Sequence, residues 1–66
     1  MNIEVSESKV KQTINALSQR LLLEASEMIN GLNHAERIAV RESADEQGLP
    51  LPRNLYYDYS KQQWIK

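Results

Sequence analysis

Apolar residues recur at Val10, Ile14, Leu17, Leu21, Ala25, Met28 and Leu32, in steps of four and three. That spacing is one face of an α-helix. Midway the stripe widens, because Leu22 and Leu23 follow Leu21, and Ile29 follows Met28. Three consecutive leucines, at about 100° per residue, spread over roughly 200° of the helix cylinder. A helix apolar over so much of its girth needs cover from two directions. The pattern predicts a first helix over residues 7–30, capped by Ser6 or Ser8, with Glu7 suited to the positive end of the dipole. Lys9, Gln12, Gln19, Ser26 and Glu27 form its solvated side. A strict heptad would put Glu24 on the seam. Ala25 takes over there, the drift expected of a straight helix, which favours globular packing over a supercoil.

Gly31 is the expected stop, through the left-handed backbone that glycine adopts without strain. Asn33 then reads as the N-cap of a second helix, with Glu36 at the spacing of a reciprocal capping box. That helix is predicted over residues 34–47. Ala35, Ile38, Ala39, Val40 and Ala44 are its apolar positions, and Arg37, Arg41, Glu42, Asp45 and Glu46 are expected to face water. Gly48 closes it, followed by Leu49 as the apolar contact that often accompanies such a stop. A link of two or three residues makes the helices neighbours, as a hairpin or an angled corner.

Leu49-Pro50-Leu51-Pro52 cannot be helical, since each proline drives its predecessor to extended geometry. Residues 49–53 therefore read as a stiff connector, and residues 54–66 as a tail. Alternation sets Leu55, Tyr57 and Tyr59 on one face, and aromatic enrichment favours strand. Ser60–Gln63 is a candidate four-residue hairpin loop. The fold expected is mainly α: a helical pair over residues 6–48, after a lead-in at 1–5, with a short C-terminal β-hairpin or extended aromatic tail, all in one small domain.

With 66 residues and no cysteine, the chain has neither a large core nor disulfides to support it. A single histidine, His34, makes a transition-metal site a poor expectation. The remaining support for so short a chain is a partner surface. Net charge is −1, so no global field drives the chain toward nucleic acid or anionic lipid. The first 49 residues sum to −3 and the last 17 to +2. The opening residues lack a basic patch followed by an apolar run, so a cytoplasmic location is expected. Nothing resembles a nucleophile beside a base, a Gly-rich phosphate loop or metal-ligand spacing, so neither an enzyme nor a cofactor is expected. His34 reads as an exposed surface residue, and Glu24 as an acid at the edge of the core. The second helix carries Glu36, Glu42, Asp45 and Glu46 against Arg37 and Arg41, which sets it against phosphates and against a DNA-reading role.

Leu51-Pro52-Arg53-Asn54-Leu55-Tyr56-Tyr57-Asp58, followed by Trp64, resembles the first strand–turn–strand of the arm-type DNA-binding domains of phage integrases and the related AP2-like domains. In that family a three-stranded sheet, backed by a helix, reads DNA. The likeness covers about fourteen residues; the third strand and following helix have no counterpart here, and the helical pair is not part of the pattern. A strand edge at the end of the chain implies pairing with another subunit or continuation in a longer protein.

Two readings result. The first is a small non-enzymatic interaction or regulatory protein, with a homodimer or another protein buried against Ile14, Leu21, Leu22, Leu23, Met28 and Ile29. The second is a nucleic-acid accessory protein using Arg53, Tyr56, Lys61, Trp64 and Lys66, the basic aromatic end of the chain, where Tyr and Arg side chains suit recognition.

Overall fold

The long first helix is broken in two. In the structure, a computed structural model that describes residues 5–65, α1 (Glu7–Ser18) and α2 (Leu22–Asn30) replace the single element expected over 7–30. The break centres on Arg20, whose φ of 61° is left-handed. Around it the Leu21 amide donates to the Ala16 carbonyl at 2.9 Å and the Arg20 amide to the Leu17 carbonyl at 3.0 Å. This pair of crossed bonds is the Schellman stop, formed here without the usual glycine. The physical reason for the break is the overfull arc itself. A straight helix would carry Leu21 and Met28 on into the Leu17 line. The turn at Arg20 rotates α2, so that Ala25 and Ile29 enter the core instead. With the lead-in lying outside the described residues apart from Val5, the fold is three helices and a small sheet.

α3 (His34–Gln47) follows as expected. Gly31 does not behave as expected: it sits at φ −90°, ψ 0°, and the turn closes through Gly31 N–H to Met28 O and Leu32 N–H to Ile29 O. Leu32, buried, supplies the reason, since it pulls the chain straight into the core rather than through a left-handed exit. Gly48 is the left-handed stop, at φ 67°, with Leu49 packed against the core behind it. The proline connector leads into a one-turn 3₁₀ helix (Arg53–Leu55), which the sequence pattern did not predict. Then β1 (Tyr57–Asp58) and β2 (Gln63–Trp64) pair antiparallel, with Tyr57 opposite Trp64. The loop is Tyr59–Gln62, one residue earlier than predicted. Asp58 fixes it: its Oδ1 accepts from the Ser60 hydroxyl at 2.7 Å, and from the Ser60 and Lys61 amides. The Ser60 hydroxyl, more than the amides, holds the Asp58 carboxyl below the usual range.

The core gathers Ala16 and Leu17 of α1, Ala25 and Ile29 of α2, Val40 and Ala44 of α3, with Leu32 and Leu55 from the joins. Three alanines among these allow the helices to meet closely. Thr13 is also buried, its hydroxyl satisfied by the Lys9 carbonyl at 2.8 Å.

One carboxylate ties two helix starts together. Glu36 Oε1 accepts from the Asn33 amide at 3.0 Å, and Asn33 Oδ1 accepts from the Glu36 amide at 2.8 Å, completing the expected capping box. Glu36 Oε2 also accepts from the Ser6 amide at 2.8 Å, at the N-cap of α1. The Asn33 amide, then the Ser6 amide, then the charge of Lys9 lower the Glu36 pKa against the opposing effect of burial.

A group whose carboxyl is more acidic folded than unfolded binds fewer protons in the native state. Its stabilisation is therefore complete above the unfolded carboxylate range and is lost as pH falls through the lower folded value. Thermal melts across pH are expected to show this as a steep acid limb. Glu36→Gln, which keeps one acceptor and loses the charge, is expected to lower the melting temperature by several degrees near neutrality and to flatten that limb; an unchanged limb would remove Glu36 from its cause. At the helix break, Arg20→Gly relieves the left-handed strain and is expected to raise stability by about 0.5–1 kcal/mol in urea unfolding, whereas Arg20→Val lowers it.

Candidate interaction groove

The C-terminal segment is held by one side of α3. His34, Arg37 and Arg41 follow at intervals of three and four, so they share a face. The indole Nε1 of Trp64 donates to His34 Nδ1 at 3.0 Å, which requires the imidazole to be unprotonated on that nitrogen. The His34 ring lies 5.7 Å from that of Tyr57 and 5.5 Å from that of Trp64. Tyr57 meets Trp64 edge-on at 5.2 Å, across the strand pair. The Arg37 guanidinium sits 5.6 Å above the Trp64 ring, and that of Arg41 5.0 Å above Tyr56. Arg41 also donates to the Leu55 carbonyl at 2.9 Å and pairs with Asp45 at 3.2 Å. The expectation that Arg37 and Arg41 simply face water is thus corrected: both are half-buried and engaged with the tail. His34 is exposed as expected, yet it anchors the hairpin. Such roles carry no local signal, because the partners lie 14 to 30 residues away in sequence.

The 3₁₀ turn is pinned to α2 in a similar way. Asn54 is buried, and its amide nitrogen donates to the Ser26 carbonyl at 2.9 Å and to Asn30 Oδ1 at 3.1 Å. Its own Oδ1 has no protein partner and is enclosed.

Between α2, the connector and β2 lies an open groove of about 860 Å³. Leu22, Leu23, Leu51, Pro52, Trp64 and Ile65 give it apolar walls, while Ser26, Asn30 and Asn54 contribute amide and hydroxyl groups. Arg37 and Arg53 flank it, and no carboxylate among the described residues lines it. A second groove, of about 720 Å³, runs between α1 and α3 past Val10, Ile14 and Ala39.

The residues expected to form one interface are placed in three environments. Ile29 is fully buried in the chain's own core, so it is withdrawn from any partner surface. Its place on the new α2 phase, set by the break at Arg20, is the reason. Ile14 is half-buried against the core and lines the α1–α3 groove. Leu21, Leu22 and Met28 remain about 40% exposed and Leu23 is 79% exposed. By helical spacing Leu21 and Met28 flank one side of the Ala25–Ile29 line and Leu22 the other, with Leu23 beyond it. Only Leu22 and Leu23 belong to the groove of α2. Glu24 is exposed rather than at a core edge.

The basic aromatic set is dispersed as well. Trp64 is half-buried within the His34 cluster, and Tyr56 lies under Arg41. Arg53 is exposed at the groove, while Lys61 is in the hairpin loop and exposed. Lys66 lies outside the described residues. The residues that sequence reasoning missed are Arg37 and Arg41, read as solvated charges, and Asn54, read only as the first residue of the tail.

Among the described residues no helix is long and apolar enough to cross a membrane, and no group of three His, Cys, Asp or Glu side chains could hold a metal ion. No protein family, curated protein or solved structure is found to match the chain.

Proposed function

We propose that the chain is a non-enzymatic protein-interaction module, working through the exposed apolar side of α2. The observation that carries this reading is Leu23, 79% exposed in the first turn of α2, beside Leu22 at the mouth of a groove. A leucine so placed contributes little to the fold. Leaving it and Leu22 in water forgoes about 1–3 kcal/mol of burial that a partner could recover. Large apolar side chains gathered at a concave surface, with Trp and Arg at its edge, match the anchors found at protein interfaces. The partner is a second copy of the chain or another protein.

The nucleic-acid reading is less well supported. Trp64 already serves the hairpin's own packing, and Tyr56, though 43% exposed, lies under Arg41, which leaves Arg53 and Lys61 as its exposed described cations.

The double variant Leu22→Gln/Leu23→Gln is expected to melt within a few degrees of the parent, because neither side chain belongs to the core. A photo-crosslinker at position 23 of the full chain, expressed in its own host, is expected to give an adduct of discrete mass. The same group at Gln12, on the outer side of α1, is expected to give none, and Leu22→Gln should weaken the adduct at position 23. No discrete adduct at position 23, or equal adducts at both positions, would sink the interaction reading.

A further inference from the structure

We infer that the groove beside α2 takes an acidic amphipathic segment of another protein, a peptide with apolar anchors flanked by Asp or Glu. This inference rests on the interaction reading above and adds the chemistry of the partner. The argument is one of charge complementarity. The chain as a whole is net acidic, at −1, yet the groove carries Arg37 and Arg53 and no described carboxylate. Among the described residues the one ion pair is Arg41–Asp45, so no described carboxylate neutralises either groove arginine. Arg37 is half-buried over the Trp64 ring, and among the described residues its guanidinium makes one hydrogen bond, a long one of 3.4 Å from Nε to the Leu32 carbonyl. A guanidinium always carries its charge and offers five N–H donors in a planar fork. Held partly out of water, with most of those donors lacking a partner among the described residues, it favours an incoming carboxylate, which it can bind through two parallel hydrogen bonds.

The apolar half of the ligand follows from the walls. Leu22, Leu23 and Ile65 present aliphatic surface, which suits leucine-like side chains and offers little to a phosphate backbone. The same charges argue against a second copy of this chain. A two-fold contact through the groove would bring two copies of Arg37 and Arg53 together, and like charges juxtaposed across an interface are costly.

Trp64 lines the groove and is the only tryptophan, so its emission reports occupancy directly. The probes are a twelve-residue amphipathic peptide of Leu and Glu, and its counterpart with every Glu replaced by Lys. The Glu peptide is expected to shift Trp64 emission and to bind about tenfold more tightly than the Lys peptide at low salt, with the gap closing at high salt. Arg53→Glu, at an exposed position, sets one carboxylate against Arg37 and is expected to abolish the preference while leaving the circular dichroism spectrum unchanged. Leu23→Gln should weaken both peptides. Equal binding of the two peptides, preference for Lys, or no binding at millimolar concentration would overturn the acidic-partner inference. So would a single-stranded oligonucleotide that displaces the Glu peptide, or a doubled sedimentation mass abolished by Leu23→Gln. If the crosslink at position 23 forms while the Glu peptide shows no preference, the inference fails and the interaction reading stands. If the crosslink is also absent, both fail.

Discussion

The arrangement depends on one carboxylate shared between two helix starts. Glu36 accepts from the amides of Ser6 and Asn33, the N-caps of α1 and α3. Each of those positions opens a helix whose first amides lack partners within the helix. A carboxylate is the acceptor best suited to both, since it has two oxygens and a charge that the positive helix ends favour. The contact also joins residues 30 positions apart, so it fixes where α1 lies against α3 as well as where each begins. With those two ends pinned, Val40 and Ala44 of α3 pack with Ala16 and Leu17 of α1 in one core. The break at Arg20 then determines how α2 closes over that core.

The parts of the fold legible in the sequence were those whose cause is local. Ser6, one of the two caps the pattern allows, Asn33 with Glu36, and Gly48 with Leu49 each act within a few residues. The two prolines excluded helix from the connector. Elements with distant causes were not legible. Arg20 stops a helix in a conformation that costs a non-glycine residue about 1–2 kcal/mol, and composition gives no sign of it. The sign was indirect: an apolar arc of roughly 200° exceeded what one cylinder can bury against one neighbour, and the chain responded by turning. Taken as one straight helix, that width demands a partner. In the fold it is met partly by the turn, which takes Ile29 inside and leaves Leu22 and Leu23 outside. The candidate groove was legible to the same extent, through its leucines and Trp64 but without Arg37 or Asn54, whose positions depend on α3 and α2 meeting the tail.

The tail shows how a lone two-stranded hairpin persists in so small a protein. Such a hairpin is marginal in water by itself. Here Tyr57 and Trp64 form a cross-strand pair, and His34, Arg37 and Arg41 bring α3 against them. The aromatic residues form a cluster apart from the core, with Tyr57 and Trp64 half-buried and Tyr56 and Tyr59 exposed. Their edges stay wet, which suits Tyr and Trp, whose polar atoms need a partner or water. Of the residues that suggest nucleic-acid recognition, Trp64 and Tyr56 contact α3 and help hold the C-terminal segment, while Arg53 and Lys61 are exposed.

The same economy leaves Leu22 and Leu23 uncovered beside α2, as it leaves Tyr59 exposed in the hairpin loop. The core consists of eight side chains, three of them alanine, and is closed on one side by the α1–α3 contact and on another by Leu55. The 3₁₀ turn is too short to cover all of α2; it reaches Ser26 and Asn30 through Asn54 and stops. Leu22 and Leu23 lie one turn further toward the N-terminus, beyond its reach. Arg37, drawn over Trp64 to secure β2, then leaves its remaining donors at the rim of the uncovered space. Apolar walls and unneutralised cations meet in the groove because the interactions that dock the hairpin end there.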